Sequence, residues 1–175
     1  VVAIQDPVHK NKLASWANEQ DFIRQAPLFL IWVADLSRNR LVADLPPGVV
    51  LDGTDYLESL LLTAVDTAIA AQNAVLAAES LGLGAVYVGA IRSHVQEISQ
   101  DLKLPPYAFP LFGTAIGYPA QATAEQPLRP RLPQKAVLHQ EFYDASAQPQ
   151  AAAQYDQALD AFWQAQGIQH PRRTN

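Results

Sequence analysis

The fold of this chain is decided by residues 54–90, TDYLESLLLTAVDTAIAAQNAVLAAESLGLGAVYVGA. Thr54 is a predicted N-cap for a long helix, Asp55 lies in its first turn where the helix dipole favours an acid, and Gly82 is its natural end. Polar residues recur at every seventh position, so Leu, Ala, Val and Ile occupy most of the circumference. A helix this apolar is normally buried on nearly all sides, and a strand is predicted to follow it at residues 84–90.

Three polar side chains, Asp66, Gln72 and Asn73, interrupt the predicted helix. Because an unpaired polar group costs about 1–3 kcal/mol when it is buried, each is expected to have a partner. Helix-to-helix hydrogen bonding is the simpler interpretation, and contact with a ligand is the alternative. The longest uncharged run, residues 67–78, is too short to cross a bilayer, so no transmembrane span is predicted.

The flanking sequence alternates apolar runs with helical patterns. Residues 28–36 and 109–118 are nearly continuous apolar runs, which are typical of strands covered on both faces. In the second run, Gly113 and Gly117 indicate bulges or close backbone approach. A further strand is predicted at 1–5, and a strand or extended segment at 137–142. Helices are predicted at 7–17, 19–25, 93–102 (capped by Ser93) and 150–166, and loops at 37–53 and 120–134. This alternation predicts one domain of α/β or α+β architecture.

The composition excludes several classes of protein. A formal net charge of -5 without any run of Lys or Arg argues against nucleic-acid binding, so a small molecule is the expected partner. The absence of cysteine excludes disulfides, thiolate nucleophiles and Cys-ligated metals, and the cytoplasm is the simplest location. The four histidines lack metal-ligand spacing, so no metal site is predicted.

Arginines are the side chains most able to bind an anion here. A glycine pattern at residues 82–89 lacks the GxGxxG spacing and precedes its strand, which rules out a dinucleotide-binding turn. Arg92 follows the predicted strand, where ligands often bind, although a solvent-exposed or salt-bridged side chain is an equal alternative. Arg129 and Arg131 flank a rigid proline, an arrangement that leaves two guanidinium groups to chelate a phosphate.

Three segments together resemble one known family. These are AQNAVLAAESLGLGAVYVGAIR at residues 71–92, LKLPPYAFPLFGTAIGYPA at 102–120 and LRPRLP at 128–133. They resemble the FMN-dependent nitroreductase superfamily, specifically its oxygen-insensitive NADPH nitroreductase and flavin reductase group, in the same order across residues 1–167. The resemblance implies an α+β fold with a mostly antiparallel central sheet wrapped by helices, and a homodimer whose long central helix lies at the interface.

The resemblance also implies a reaction and its cofactors. In this family NAD(P)H reduces bound FMN, and a nitroaromatic, a quinone or free flavin then takes the two electrons in a ping-pong cycle. A catalytic cluster of side chains is therefore not expected, because the flavin carries the chemistry. The alternative is a non-catalytic flavin-binding or structural protein on the same fold.

Site residues follow from the same resemblance. The family's Tyr-Ile-Gly-Gly turn along the flavin ring corresponds to Tyr87, Val88, Gly89 and Ala90. Ala90 replaces the last glycine of the family turn. This replacement is expected to narrow the pocket if the residue at position 90 needs a positive φ. The family's Lys-Pro-Arg, which holds the FMN phosphate and the ring edge, corresponds to Arg129, Pro130 and Arg131. Arg92 corresponds to an active-site arginine on the substrate side.

Departures from the family concern the ends of the chain. The chain begins Val-Val-Ala-Ile and contains no methionine. It also lacks the family's N-terminal phosphate-binding motif and its C-terminal extension. It is therefore interpreted as a single nitroreductase-like domain, residues 1–175, truncated at both ends. Gln166 stands where the family has an arginine for the NADPH 2′-phosphate. Arg172 and Arg173 are the candidates to replace that arginine, with NADPH or NADH as co-substrate.

Overall fold

The computed structural model describes residues 1–42, 46, 52–120 and 128–168. Two compact units divide the chain, a larger one at Val1–Ala120 and a smaller one at Gln121–Asn175. The expectation of a single domain over residues 1–175 stays a prediction.

The larger unit is built on a four-stranded antiparallel sheet. Its strands are β1 (Val2–Ile4), β2 (Leu28–Asp35), β3 (Gly84–Val88) and β4 (Ala108–Gly117), in the spatial order β1-β2-β4-β3. The two continuous apolar runs therefore occupy the two central positions, as their lack of polar alternation predicts. Antiparallel pairing with helices around it confirms the α+β class and excludes α/β.

Two glycines let β4 approach its neighbours closely, as predicted. A Cβ atom added at Gly113 would lie 2.3 Å from Cζ of Phe29, whose side chain is fully buried. A Cβ atom at Gly117 would lie 2.7 Å from Cδ of Pro27. Any larger residue at these positions would displace the packing beside β2.

The described part of the larger unit also contains four short helices: α1 (Pro7–Trp16), α2 (Asp21–Gln25), α3 (Ser37–Val42) and α5 (Val95–Asp101). The predicted start of α1 is confirmed, because the Asp6 carboxylate accepts a hydrogen bond from the His9 N–H at 2.7 Å. The core joins α1, α2 and α5 through Leu13, Ile23 and Ile98, all fully buried. This apolar cluster fixes the helices against the strands.

The long helix, α4, spans Leu57–Ser80, so the predicted start at Thr54 is wrong. Asp52–Asp55 instead form a 3-10 turn, which also removes Asp55 from the first turn of α4. The predicted end is confirmed. Gly82 has φ of 77°, a left-handed conformation that glycine adopts without strain, and its N–H donates to a carbonyl of the last turn at 2.9 Å.

Within this chain α4 buries one stripe of its surface. The buried residues are Thr67, Ala71, Val75 and Ala78, and the Thr67 hydroxyl donates to the carbonyl oxygen of Val33 in β2 at 3.3 Å. Burial on nearly all sides is therefore wrong for the single chain, since side chains such as Leu62 and Ile69 are each 61% exposed. The unburied apolar surface of α4 is its most prominent feature.

One further expectation for α4 is corrected, and the expected absence of a transmembrane span stays a prediction. The side chains of Asp66, Gln72 and Asn73 are exposed, not buried. The helix has 24 residues, and an 18-residue window within it has a mean hydropathy of 1.5. By length and composition alone it is therefore able to cross a membrane, and 17% of that window is buried within the structure. Those two properties are weak evidence by themselves, because a helix that packs on a sheet can share them.

The strand predicted at residues 84–90 ends earlier, at Val88. Beyond the pair formed by Val88 and Gly113 the ladder stops, close to an irregularity where β2 and β4 shift register. Gly89–His94 form a 3-10 helix, and α5 begins at Val95. Ser93 therefore does not cap α5.

Two other predictions are corrected outside the sheet. The predicted loop at 37–53 contains α3, which the Asp35 carboxylate caps by accepting the Ser37 N–H at 2.9 Å. The rest of that loop, residues 43–45 and 47–51, lies outside the described residues. Residues 137–142 form no strand, because nothing in the described part of the chain pairs with them.

The smaller unit contains one long helix among its described residues, α6 (Gln148–Ala165). Ala151 and Leu159 are its buried residues. The helix ends as predicted before Gly167, which has φ of 67°. A 3-10 turn at Gln134–Ala136 precedes it.

Candidate functional site

A cavity of about 370 Å³ lies between α4 and the β3–β4 edge of the larger unit. Its lining is mostly apolar and aromatic, with one cation and one amide: Ala68, Gln72, Tyr87, Gly89, Arg92 and Phe112. Three of the residues predicted for the site, Tyr87, Gly89 and Arg92, thus meet at one place. A volume of this size with a few polar groups is typical of a small-molecule site.

The Tyr87–Ala90 turn divides its side chains between the cavity and the core. Tyr87 and Gly89 line the cavity, whereas Val88 is buried in the core and Ala90 packs against the same core cluster. The Ala90 side chain therefore does not line the cavity, and its backbone is not among those with positive φ in the described chain. The narrowing expected if this position needed positive φ does not arise.

Tyr87 is held by contacts on both sides of the cavity. Its hydroxyl donates to Oε1 of Gln72 at 3.1 Å, and its ring meets the Phe112 ring edge to face at 5.5 Å and 73°. Partial burial, followed by the negative charge of Glu79, raises the pKa of the Tyr87 phenol. The phenol thus stays protonated at neutral pH and remains a hydrogen-bond donor.

Arg92 folds back over the turn. Its Nη1 donates to the carbonyl oxygen of Leu111 at 3.1 Å. Leu111 lies at the register shift between β2 and β4 and has no β2 partner, because Trp32 pairs with Phe112 and Val33 pairs with Pro110. A Cβ atom at Gly89 would lie 3.3 Å from Nη2 of Arg92, so glycine provides the room for the guanidinium group to rest there.

A buried hydrogen bond lies beneath the cavity wall. Nε1 of Trp32 donates to Oγ1 of Thr114 at 2.9 Å, and Thr114 is the β4 partner of Tyr87. Sequence reasoning missed this pair and also missed Phe112. The available signal was the position of Phe112 and Thr114 on either side of a glycine that requires close backbone approach.

The arginines of the Arg129–Arg131 segment lie in the smaller unit. The guanidinium group of Arg129 lies over the Trp163 ring, 5.1 Å from its centroid. Nη1 of Arg131 donates to the carbonyl oxygens of Arg129 at 3.1 Å and Pro130 at 3.3 Å. Both arginine side chains remain exposed, and each is positioned by contacts within its own unit.

The remaining predicted residues are less informative. Gln166 is exposed at the end of α6. Arg172 and Arg173 lie outside the described residues. Across the ranges that the structure describes, no group of three or more His, Asp or Glu side chains could hold a metal ion.

Two family models match this sequence. The model described as the nitroreductase family matches residues 2–118, and the model described as the nitroreductase family, C-terminal domain, matches residues 129–174. The first spans most of the larger unit, including the cavity. The second includes the Arg129–Arg131 segment and α6.

Individual proteins are similar over most of the chain. An FMN reductase [NAD(P)H] from Bacillus subtilis is 46% identical over 82% of this chain and 56% of its own length. An oxygen-insensitive NADPH nitroreductase from Salmonella typhimurium is 35% identical over 99% of this chain and 68% of its own length. The solved structure of the hypothetical oxidoreductase YcnD from Bacillus subtilis has a TM-score of 0.88 at 38% identity, covering 98% of this chain and 69% of that chain. The chain thus spans little more than half the length of the first of these relatives.

Proposed function

This chain belongs to the nitroreductase family, and we propose that it forms part of an FMN-dependent NAD(P)H oxidoreductase that reduces nitroaromatics, quinones or free flavin. The observation that carries the proposal is the cavity in which Tyr87, Gly89 and Arg92 meet. The activities for which two relatives are named, FMN reductase and NADPH nitroreductase, agree with it.

The residues of the cavity fit a flat aromatic cofactor. Gly89 presents bare backbone, and the small space that a Cβ atom would fill lies against the Arg92 guanidinium group. Tyr87 and Phe112 supply aromatic surface, and Gln72 supplies an amide. An isoalloxazine ring has the same combination of apolar faces and a polar edge.

The chain's own side chains have defined tasks in this proposal. When bound, FMN supplies hydride transfer, taking two electrons from NAD(P)H and giving them to the oxidant. The backbone at Gly89 permits close approach of the flavin ring, and Arg92 places a positive charge near the electron-rich flavin. Arg129 and Arg131 are proposed to hold the FMN phosphate, for which a guanidinium fork is well suited.

The first experiment uses protein expressed from the complete reading frame that contains this chain. We expect it to bind FMN. The visible absorbance of the bound flavin should bleach when NADPH is added without oxygen, and it should return when a quinone is added. Protein that binds FMN but does not bleach would support a non-catalytic flavin-binding protein instead. Protein that cannot be loaded with FMN would contradict both proposals.

A substitution tests the phosphate assignment. Arg131→Ala is expected to weaken FMN binding by roughly 10-fold or more, because a hydrogen bond to a charged group contributes about 1.5–3 kcal/mol. Lys135→Ala, which removes a nearby positive charge from the same unit, is the matched control. Equal losses in the two variants, measured by quenching of flavin fluorescence, would indicate a general charge effect instead of a specific contact.

The co-substrate is proposed to be NADPH, with NADH as the alternative. Gln166 offers no charge to a 2′-phosphate, so Arg172 and Arg173 are proposed to supply it. A double substitution of both arginines by alanine should raise KM for NADPH and leave KM for NADH unchanged. Equal effects on the two nucleotides would contradict the assignment.

A second copy of the chain is proposed to cover the exposed face of α4 and form a homodimer. Leu62, Val65 and Ile69 are each more than half exposed on that helix, and such apolar surface is normally buried by association. Sedimentation equilibrium should give a dimer for the complete protein and a monomer for Ile69→Lys. Val8→Lys, which changes an exposed residue of α1, is the control.

Fractionation of cells that express the complete protein addresses its location. We propose a soluble cytoplasmic protein that needs neither a membrane nor nucleic acid. Recovery of the complete protein in the membrane pellet would contradict this proposal and would indicate that lipid covers α4.

A further inference from the structure

We propose that Trp163 is a positioning residue for the flavin phosphate, because it holds the Arg129 guanidinium group in place before the ligand binds. This inference rests on the proposed function, in which Arg129 and Arg131 bind the FMN phosphate. The contact that carries it lies within the smaller unit, where the Arg129 guanidinium carbon is 5.1 Å from the Trp163 ring centroid. Nothing in the sequence spacing of 34 residues between them suggests that they meet.

The contact with Trp163 keeps the arginine competent to bind an anion. The ring attracts the positive charge of the guanidinium group and takes up none of its N–H donors through conventional hydrogen bonds. Those donors are the ones that bind phosphate oxygens in pairs. Arg129 therefore contacts Trp163 without giving up the donors that a phosphate needs.

Trp163 is itself held by α6. Its ring meets the Phe162 ring edge to face at 5.3 Å and 74°, and it is half-buried one turn beyond the buried Leu159. A ring fixed in this way offers a rigid platform, in contrast to a surface side chain that moves with its partner. The position of the Arg129 side chain is thus determined by the packing of a helix.

The other arginine of the segment is restrained differently. Nη1 of Arg131 donates to the carbonyl oxygens of Arg129 and Pro130, which curls this side chain over its own backbone. Pro130 limits the backbone between the two arginines. Restraint of both arginine side chains before binding reduces the conformational entropy that these side chains lose when the phosphate binds.

The inference predicts a loss that depends on the phosphate. Trp163→Leu should lower FMN affinity by about two- to fivefold, the change expected for a cation–π contact at an exposed site. Riboflavin has the same ring system without the phosphate, so its affinity should not change. Trp163→Tyr keeps an aromatic face and should retain most of the FMN affinity.

The experiment titrates the complete protein with FMN and with riboflavin and follows flavin fluorescence. Tyr155→Leu, which removes another partly buried aromatic residue of α6, is the matched control and should leave the FMN-to-riboflavin affinity ratio unchanged. In an Arg129→Ala background, Trp163→Leu should have no further effect on that ratio. This background separates positioning of Arg129 from a direct contact by Trp163.

Three results would overturn the inference. An unchanged ratio in Trp163→Leu would mean that Arg129 needs no platform. Equal losses of FMN and riboflavin affinity would indicate that Trp163 has a structural role. The melting temperature of the Trp163→Tyr variant, compared with that of the unmodified protein, checks this role independently. Each of these two results would reject this inference alone, whereas the third, no FMN binding at all, would reject the proposed function with it.

Discussion

Gly113→Ala offers a direct test of how the central strands pack. The Cβ atom of the alanine would lie 2.3 Å from Cζ and 2.7 Å from Cε2 of Phe29, far inside van der Waals contact. Phe29 is fully buried in the core cluster, so its ring has no open space into which to move. One of the two central strands must therefore shift.

The expected cost follows from this overlap. Overpacking a core by one methyl group typically costs about 1–3 kcal/mol, and the contact distances favour the upper half of that range. For a chain of this length each kcal/mol lowers Tm by about 2–4 °C, so a fall of roughly 4–12 °C is expected. Gly84→Ala is the matched control, because its Cβ atom would lie 3.7 Å from its nearest neighbours, the carbonyl oxygen of Gly117 and Cβ of Pro119.

Urea denaturation and thermal melts of both variants measure the difference. Gly84→Ala should be neutral or more stable by about 0.4–1 kcal/mol, since alanine reduces the entropy of the unfolded chain. The double variant Phe29→Leu with Gly113→Ala should be more stable than the sum of the single changes predicts, because the smaller side chain relieves the overlap. Equal stability of Gly113→Ala and Gly84→Ala would refute the close packing of β2 on β4.

Two further predictions concern polar contacts of the larger unit. Thr114→Val removes the acceptor of the buried Trp32 N–H and should lower the free energy of unfolding by about 1–3 kcal/mol, as measured in urea, whereas Thr114→Ser should retain most of it. Partial burial acts to raise the pKa of Asp101, but hydrogen bonds from Lys12 and His9 outweigh it and lower the pKa below its ordinary 3.8. Asp101 therefore stabilises the fold above pH 3.8, and this contribution is lost as the pH falls through the lowered value. Asp101→Asn should show a shallower loss of stability between pH 5 and 2, and parallel acid denaturation curves would contradict this account.

Much of the fold could be predicted from local sequence. Continuous apolar runs identified β2 and β4, and Asp6, Gly82 and Gly167 marked helix ends that the structure confirms. These signals are reliable because capping and left-handed glycine depend on a few neighbouring residues. The start of α4 was predicted wrongly, because a 3-10 turn at Asp52–Asp55 competes with the cap that Thr54 would otherwise form.

The site was predicted only in part. Tyr87, Gly89 and Arg92 were identified by resemblance, and the structure places all three at one cavity. Gln72 was treated mainly as a structural residue, yet its amide lines that cavity and accepts from Tyr87. Helical periodicity could not reveal this, because it gives the face of a residue without saying which strand that face meets.

By itself, the sequence determined the two central strands, the apolar character of α4 and the turn at Tyr87–Ala90. Each of these depends on residues close together in the chain. The tertiary structure alone decided that α4 buries a single stripe on the sheet and that Trp163 lies under Arg129. It also decided that position 113 must be glycine to leave room for the Phe29 ring. Such contacts join distant positions, and their distances are set by how strands and helices pack in three dimensions.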